Sequence, residues 1–232
     1  MKLWVVIPVY DEELAIAQVL REWVSVLRAT GATLVVRVID DGSRDRTPAV
    51  LAELAREIPE LSVHTQANAG HGPACLRGYR DALAAGADWI FQIDSDGQCD
   101  PRYFARMWEM RDNHRAIYGV RTRRDDGIQR WLISRVVSTV VWGTMRRWVR
   151  DANVPYRLMH RDVLADALRF VSDDVPLPNI AIAALQIGDV AWVPIRFLRR
   201  IAGQPKLGMR AMVERAPPLV RALARIRREQ SR

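Results

Sequence analysis

The stretch WIFQIDSDGQCDP (89–101) follows an apolar run with three carboxylates, Asp94, Asp96 and Asp100, within seven residues. Like charges crowded at the end of a buried strand repel, so the cluster costs stability unless a cation or hydrogen-bond donors sit among them. Two other stretches end in the same way. PVYDEE (8–13) places Asp11, Glu12 and Glu13 after a β-branched run, and VIDDGS (38–43) places Asp40 and Asp41 before Gly42 and Ser43. Asp, Gly and Ser also favour turns and N-caps, which accounts for any one cluster more readily than for three. Asp-x-Asp at a strand end is a hard oxygen donor set, suited to Mg²⁺ or Mn²⁺ carrying a diphosphate.

The elements that must hold these acids are legible in the periodicities. KLWVVIPVY is apolar without strict alternation, as in a strand buried on both faces. DEELAIAQVLREWVSVLRAT then has helical spacing, with acids in its first turn. TLVVRVIDDGS reads as a strand, DRTPAVLAELARE as a helix, LSVHTQ as a short strand, and NAGHGPACLRGYRDALAAGA as a Gly-rich loop entering a helix. DWIFQID is the fourth strand. This alternation predicts an α/β fold, a mostly parallel sheet with helices on both faces. Ligands in such sheets bind at the carboxyl ends of the strands, where all three acid groups fall.

At 232 residues the chain can bury one sizeable core. Its two cysteines, Cys75 and Cys99, lack C-x-x-C spacing and supply neither a disulfide frame nor a zinc site. The N-terminal apolar run is short and closed by acids, so no secretory leader is expected, and no window reaches the ~18 apolar residues of a membrane span. The cytoplasm is the expected location. The net charge of +8 is uneven: residues 1–100 carry 9 basic and 15 acidic side chains, residues 101–232 carry 26 and 12. Nucleic acid, an anionic membrane surface or an anionic substrate would each fit the basic half. So would a plain arginine bias, since only Lys2 and Lys206 are lysines.

The order IPVYDEE, IDDGSRDRT, NAGHGPACLRGYRDA and IDSDGQCDP resembles the nucleotide-sugar half of glycosyltransferase family 2, the inverting GT-A fold, over roughly residues 3–207. The Asp-x-Asp-x-Gln form resembles the dolichyl-phosphate mannosyltransferase and polyprenyl-phosphate glycosyltransferase branch. The resemblance implies a GT-A domain over 1–207, with a nucleotide-sugar half (1–100) and an acceptor half (101–207), before a basic C-terminal tail (208–232). It places Pro8, Tyr10 and Glu12, with Asp40, Asp41, Gly42 and Ser43, against the base and ribose of the donor. Asn68, Gly70 and Gly72 match the loop against the nucleotide. Asp94 and Asp96 match the acids for diphosphate and metal, Gln98 a further metal ligand, and Mg²⁺ or Mn²⁺ is the implied cofactor. Arg121 and Arg135 match basic positions on the acceptor side. Arg200 and Lys206, in RRIAGQPKLG, match the late cations near the phosphates. A lysine kept in so arginine-rich a chain is consistent with a phosphate contact.

The pattern departs from the family's in the acceptor half. DANVPYRLMHRDVL has Val-Pro-Tyr in place of a small-Gly-aromatic turn, and Pro205 stands where Ser or Thr is usual. FVSDDVPLPNIAIAALQ lacks an acidic pair opening its helix, where hydroxyl-acting relatives place a base; Asp173 and Asp174 lie upstream of it. A phosphate monoester, already anionic at neutral pH, needs no such base. The expected reaction is therefore inverting transfer to a polyprenyl phosphate, with a soluble hydroxyl acceptor as the alternative. Residues 121–150 hold eight arginines with Trp131, Trp142 and Trp148, the composition of an interfacial helix, so peripheral contact with the inner face of the plasma membrane or with a membrane partner is expected. The four histidines have no metal-ligand spacing, and only His71 lies in a candidate site loop. A nucleotidyltransferase would want a basic loop after the first strand, and a nucleic-acid module a basic ligand edge. The acid-lined edge disfavours both.

Overall fold

The computed structural model describes residues 1–123, 128–186, 188, 190–202 and 209–231, without the side chains of 123, 128–135, 209–213 and 215. The strands are β1 (Lys2–Val9), β2 (Thr33–Asp40), β3 (Leu61–Thr65), β4 (Trp89–Ile93), β5 (Ala116–Arg123), β6 (Tyr156–His160) and β7 (Val190–Arg196). The helices are α1 (Ile16–Arg28), α2 (Thr47–Glu57), α3 (His71–Ala84), α4 (Phe104–Met110), α5 (Ile128–Met145), α6 (Arg161–Leu168), α7 (Pro178–Gln186) and α8 (Met209–Gln230).

The strands form one sheet in the order β3-β2-β1-β4-β6-β5-β7. Only β6 runs against the rest, antiparallel to both β4 and β5. The expected parallel sheet is thus continuous from β3 to β4 and resumes at β5 and β7, which pair in parallel.

Pleating assigns the two faces. Val5 is level with Phe91 and Val6 with Gln92, and neighbouring residues on a strand point to opposite sides. Phe91 meets Trp23 of α1, ring centroids 5.3 Å apart. Val6 faces α3, where a Cβ on Gly78 would come within 2.3 Å of its Cγ1. Helices α1 and α3 therefore cover opposite faces, and a glycine lets α3 lie directly on the sheet. On the α1 face, Phe104 (4.7 Å) and Tyr156 (5.3 Å) close around Phe91. This aromatic cluster ties β6 to β4 and α1.

The segment read as a basic tail is a helix for most of its length. Leu219, Leu223 and Ile226 of α8 are buried at helical spacing, and α8 packs on α5. Among the described residues no helix is long and apolar enough to cross a membrane.

Candidate active site

Because β2, β1 and β4 are neighbours running in one direction, their carboxyl ends meet at one edge and bring the three acidic loops together. The loops are stitched to one another by backbone donors. Asp11, at φ 47°, donates its N–H to Ser43 Oγ (3.0 Å) and accepts from Arg44 N (2.7 Å). Glu12 N donates to Thr47 Oγ1 at 2.9 Å. Pro8 is buried in β1, and Tyr10 is half-buried just beyond it.

The acids after β2 serve their own loops. Asp40 accepts from Ser43 N at 3.0 Å and from Thr65 Oγ1 at 3.4 Å. Asp41 accepts from Gln66 Nε2 (2.8 Å), Ala69 N (3.0 Å) and Gly70 N (2.7 Å). Asp41 thereby anchors the glycine loop that leads into α3. Gly42, at φ 73°, sits where a Cβ would be 3.0 Å from Asn68 N, so the two loops pack backbone to backbone. Asn68 is exposed. Gly70 (φ 97°) turns the chain into α3, and Gly72 faces α7, with Pro178 Cδ 2.7 Å from where its Cβ would be.

The acids after β4 are arranged differently. Asp94 Oδ1 accepts from His71 Nε2 (2.9 Å) and Gln92 Nε2 (3.2 Å). Asp96, 5% exposed, accepts from Gln98 N (2.9 Å) on Oδ1, and its Oδ2 meets an Arg200 guanidinium nitrogen at 2.9 Å. The other end of that guanidinium donates to Glu12 Oε1 at 2.9 Å. Arg200 thus bridges the first and fourth strand ends. It is carried there by a chain segment in which Leu198 N donates to Gln98 O (2.9 Å) and Ile201 N to Asp96 O (3.1 Å). Gln98 is buried, with its amide donating to Leu198 O at 3.2 Å.

Burial and the neighbouring Asp94 push the Asp96 carboxyl up to about 6, against the opposing pull of Gln98 N and Arg200. A carboxylate this reluctant to ionise is short of positive charge. Among the described residues no three His, Cys, Asp or Glu side chains converge to hold a metal. Two acids suffice for Mg²⁺ or Mn²⁺ when the remaining ligands are water and substrate phosphates, so Asp94 and Asp96 fit that kind of ion. Bound there, such an ion would offset charge on a departing diphosphate. Cation binding is expected to weaken as pH falls through about 6, because Asp96 then protonates. Titration of Mn²⁺ at pH 5, 6, 7 and 8 checks this; affinity flat across that range would contradict it.

Arg121, expected from the sequence on the acceptor side, is engaged by neighbouring side chains. Its Nε and one terminal nitrogen grip Asp151 (2.7 and 2.6 Å), and the guanidinium lies 5.1 Å from the Phe197 ring centre. Arg135 lies on α5 with its side chain outside the described set, and Lys206 falls outside the described residues. Asp173 pairs with Arg80 (2.6 Å) and Asp174 with Arg225 (2.9 Å), both at the surface. Asn179, at the start of α7, is buried and accepts from Tyr79 Oη at 2.9 Å.

Reading the sequence missed Arg157. It is wholly buried on β6, and its nitrogens donate to the carbonyls of Val154 (2.8 Å), Asn179 (2.5 Å) and Ala152 (2.6 Å). An arginine inside the apolar run VPYRLM was the available signal.

The chain matches curated relatives named undecaprenyl-phosphate 4-deoxy-4-formamido-L-arabinose transferase. That of Pectobacterium atrosepticum is 27% identical over 181 residues, 76% of this chain and 54% of the relative. That of Edwardsiella ictaluri is 24% identical, covering 94% of this chain and 67% of the relative. Among solved structures, mannosyl-3-phosphoglycerate synthase from Rubrobacter xylanophilus superposes with a TM-score of 0.70 at 15% identity, covering all of this chain and 75% of that one. Glucosyl-3-phosphoglycerate synthase from Mycobacterium tuberculosis, in complex with Mn²⁺ and UDP-glucose, gives 0.68 at 16%, over 96% of this chain and 79% of that one. These likenesses establish the shared GT-A fold. The profile of Glycosyl transferase family 2 matches residues 4–171, most of the chain, which therefore belongs to that family.

Proposed function

We propose that the chain moves a sugar from a nucleotide sugar to an acceptor that carries a phosphate group, with inversion at the anomeric carbon. The observation that carries the donor half of this reading is the Arg200 bridge between Glu12 and Asp96, at an edge where three acid-bearing strand ends meet. Asp94 and Asp96 would hold Mn²⁺ or Mg²⁺ with the diphosphate, and Arg200 and Lys206 would screen it as it leaves. Pro8, Tyr10 and the loop at Asn68 and Gly70 would line the nucleoside. An acceptor oxygen attacks the anomeric carbon from the side opposite the diphosphate: an anionic phosphate oxygen in a polyprenyl phosphate, or in a soluble phosphorylated compound a hydroxyl oxygen, whose proton passes to solvent or to the departing diphosphate. The new C–O bond forms as the bond to the diphosphate breaks, and the nucleoside diphosphate departs with the electron pair.

For the acceptor, a soluble phosphorylated compound comes first. Solved neighbours of the same fold include the glucosyl-3-phosphoglycerate synthase in complex with Mn²⁺, UDP-glucose and phosphoglyceric acid. A polyprenyl phosphate is the second reading, supported by the undecaprenyl-phosphate transferases among the relatives. In that case the half-exposed Trp142 and Trp148 would approach the membrane surface. Both acceptors present a phosphate, and Arg135 and Arg121 are the proposed contacts.

The test is transfer with Mn²⁺ from UDP-glucose and GDP-mannose to 3-phosphoglycerate, glycerate, a short polyprenyl phosphate and its unphosphorylated alcohol. The phosphorylated member of a pair is expected to win, and Arg135→Gln to lower its use roughly tenfold to a hundredfold, the worth of one charge-assisted hydrogen bond. Preference for the unphosphorylated member, with Arg135→Gln at wild-type rates, would overturn the phosphate reading.

A further inference from the structure

His71 opens α3, one residue after the Gly70 turn and one before Gly72, whose missing side chain lets the helix close on Pro178 of α7. This placement sets the imidazole over Asp94, with Nε2 2.9 Å from Oδ1. The sulfur of Cys75, one helical turn on, lies 3.7 Å from Nδ1 and 3.8 Å from Nε2, so it sits against the ring. That sulfur is buried and in turn receives Asn179 Nδ2 at 3.7 Å. The ring is therefore packed on a buried sulfur that α7 also contacts.

Gln92 approaches the same carboxylate oxygen from β4 at 3.2 Å, while its own Oε1 is buried without a partner. Turning that amide over would set oxygen against oxygen, so the contact is directional. Both protein donors to Asp94 thus converge on Oδ1. Among the described residues none donates to Oδ2.

We propose that His71 is a positioning residue for Asp94: donation from Nε2 fixes Oδ1 and presents Oδ2 to the cation-bound diphosphate. This rests on the reading of Asp94 as a ligand of that group. The His71 side chain is 48% exposed, so its loss should leave the fold intact.

The choice of replacement makes the test specific. A glutamine places a donor nitrogen near the position of Nε2, whereas an asparagine places one near Nδ1. In calorimetric titrations of Mn²⁺ with UDP, and separately with GDP, His71→Ala is expected to weaken binding about tenfold or more. His71→Gln should recover to within about threefold of wild type and His71→Asn should not, with melting temperatures of all three close to wild type. Imidazole ¹⁵N spectra of the metal-free protein read the contact itself: Asp94→Asn should move the His71 signals and leave those of His64, His114 and His160 in place.

Equal binding by wild type and all three variants, or equal loss in all three, would overturn the proposal while leaving the donor site standing. So would His71 signals indifferent to Asp94→Asn. Wild-type protein that binds neither nucleotide, yet shows the spectral shift, would instead overturn the donor reading and the role of the contact with it.

Discussion

Asp96→Asn is expected to lose transfer activity and gain thermal stability in the same molecule. The Asp96 carboxyl is raised from 3.8 to about 6, first by burial and then by Asp94. A group whose folded-state value lies above its unfolded value stabilises the fold fully only at pH values below the unfolded one. That contribution is lost as pH rises through the folded value. At pH 8 the ionised Asp96 therefore burdens the native state by about 3 kcal/mol, at 1.36 kcal/mol per unit. Asparagine never ionises. The shift already sets the Arg200 attraction against burial, so the gain is bounded by that figure, or several degrees in Tm for a domain of this size. The advantage should shrink by pH 5, where Asp96 is itself mostly protonated. Activity should move the other way, by roughly 10²–10³ in kcat, the scale on which a preorganised electrostatic contact acts. Melts at pH 5 and 8 and turnover with excess Mn²⁺ decide it. A variant less stable than wild type at pH 8 would show that Arg200 outweighs burial.

Arg157→Leu should be the most damaging single change to the fold. The guanidinium is a buried charge held by three backbone carbonyls and the Tyr118 ring, whose centre is 4.8 Å away. Leucine fills part of the volume and leaves the carbonyls of Ala152, Val154 and Asn179 without that donor. Each unsatisfied buried carbonyl costs about 1–3 kcal/mol, so a loss near 4 kcal/mol is expected even with some relaxation. Lysine would reach fewer of the three and should recover less than half. Urea unfolding gives the difference directly; a loss under about 1 kcal/mol would mean the loop and α7 find other donors or water.

The strand and helix pattern of residues 1–100 was legible in the sequence because its signals are local. Apolar runs mark β1, β2 and β4, and their common direction follows from the alternation of strand and helix, whereas the order β2-β1-β4 is read only from the fold. The acids then have to share an edge. What those acids do was less legible. Asp40 and Asp41 cap their own loops, and only the folded chain distinguishes them from Asp94 and Asp96. The pairing of Arg121 with Asp151 was not legible, because the two lie 30 residues apart and no local periodicity links them. The reversal of β6 was hidden for a related reason. YRLMH is five residues with no signature of direction, and its pairing with β4 spans a long stretch of chain. The helix α8 was hidden by its arginines, although Leu219, Leu223 and Ile226 carried the period.

The strand order has a consequence during synthesis. The parallel group β3-β2-β1-β4 is complete once residue 93 has been made, but the next strand in the sheet, β6, begins only at Tyr156. On the ribosome, β4 is for that interval an open edge of five apolar or uncharged residues, WIFQI, all buried in the finished protein. Such an edge is a template for pairing with any other exposed strand. At roughly 5–20 residues per second, the 63 residues from Asp94 to Tyr156 leave it uncovered for several seconds. The acids that follow immediately, with their mutual repulsion, then stand as charged gatekeepers at one end of that edge. The same carboxylates that make the mature site hungry for a cation would discourage its nascent strand from finding the wrong partner.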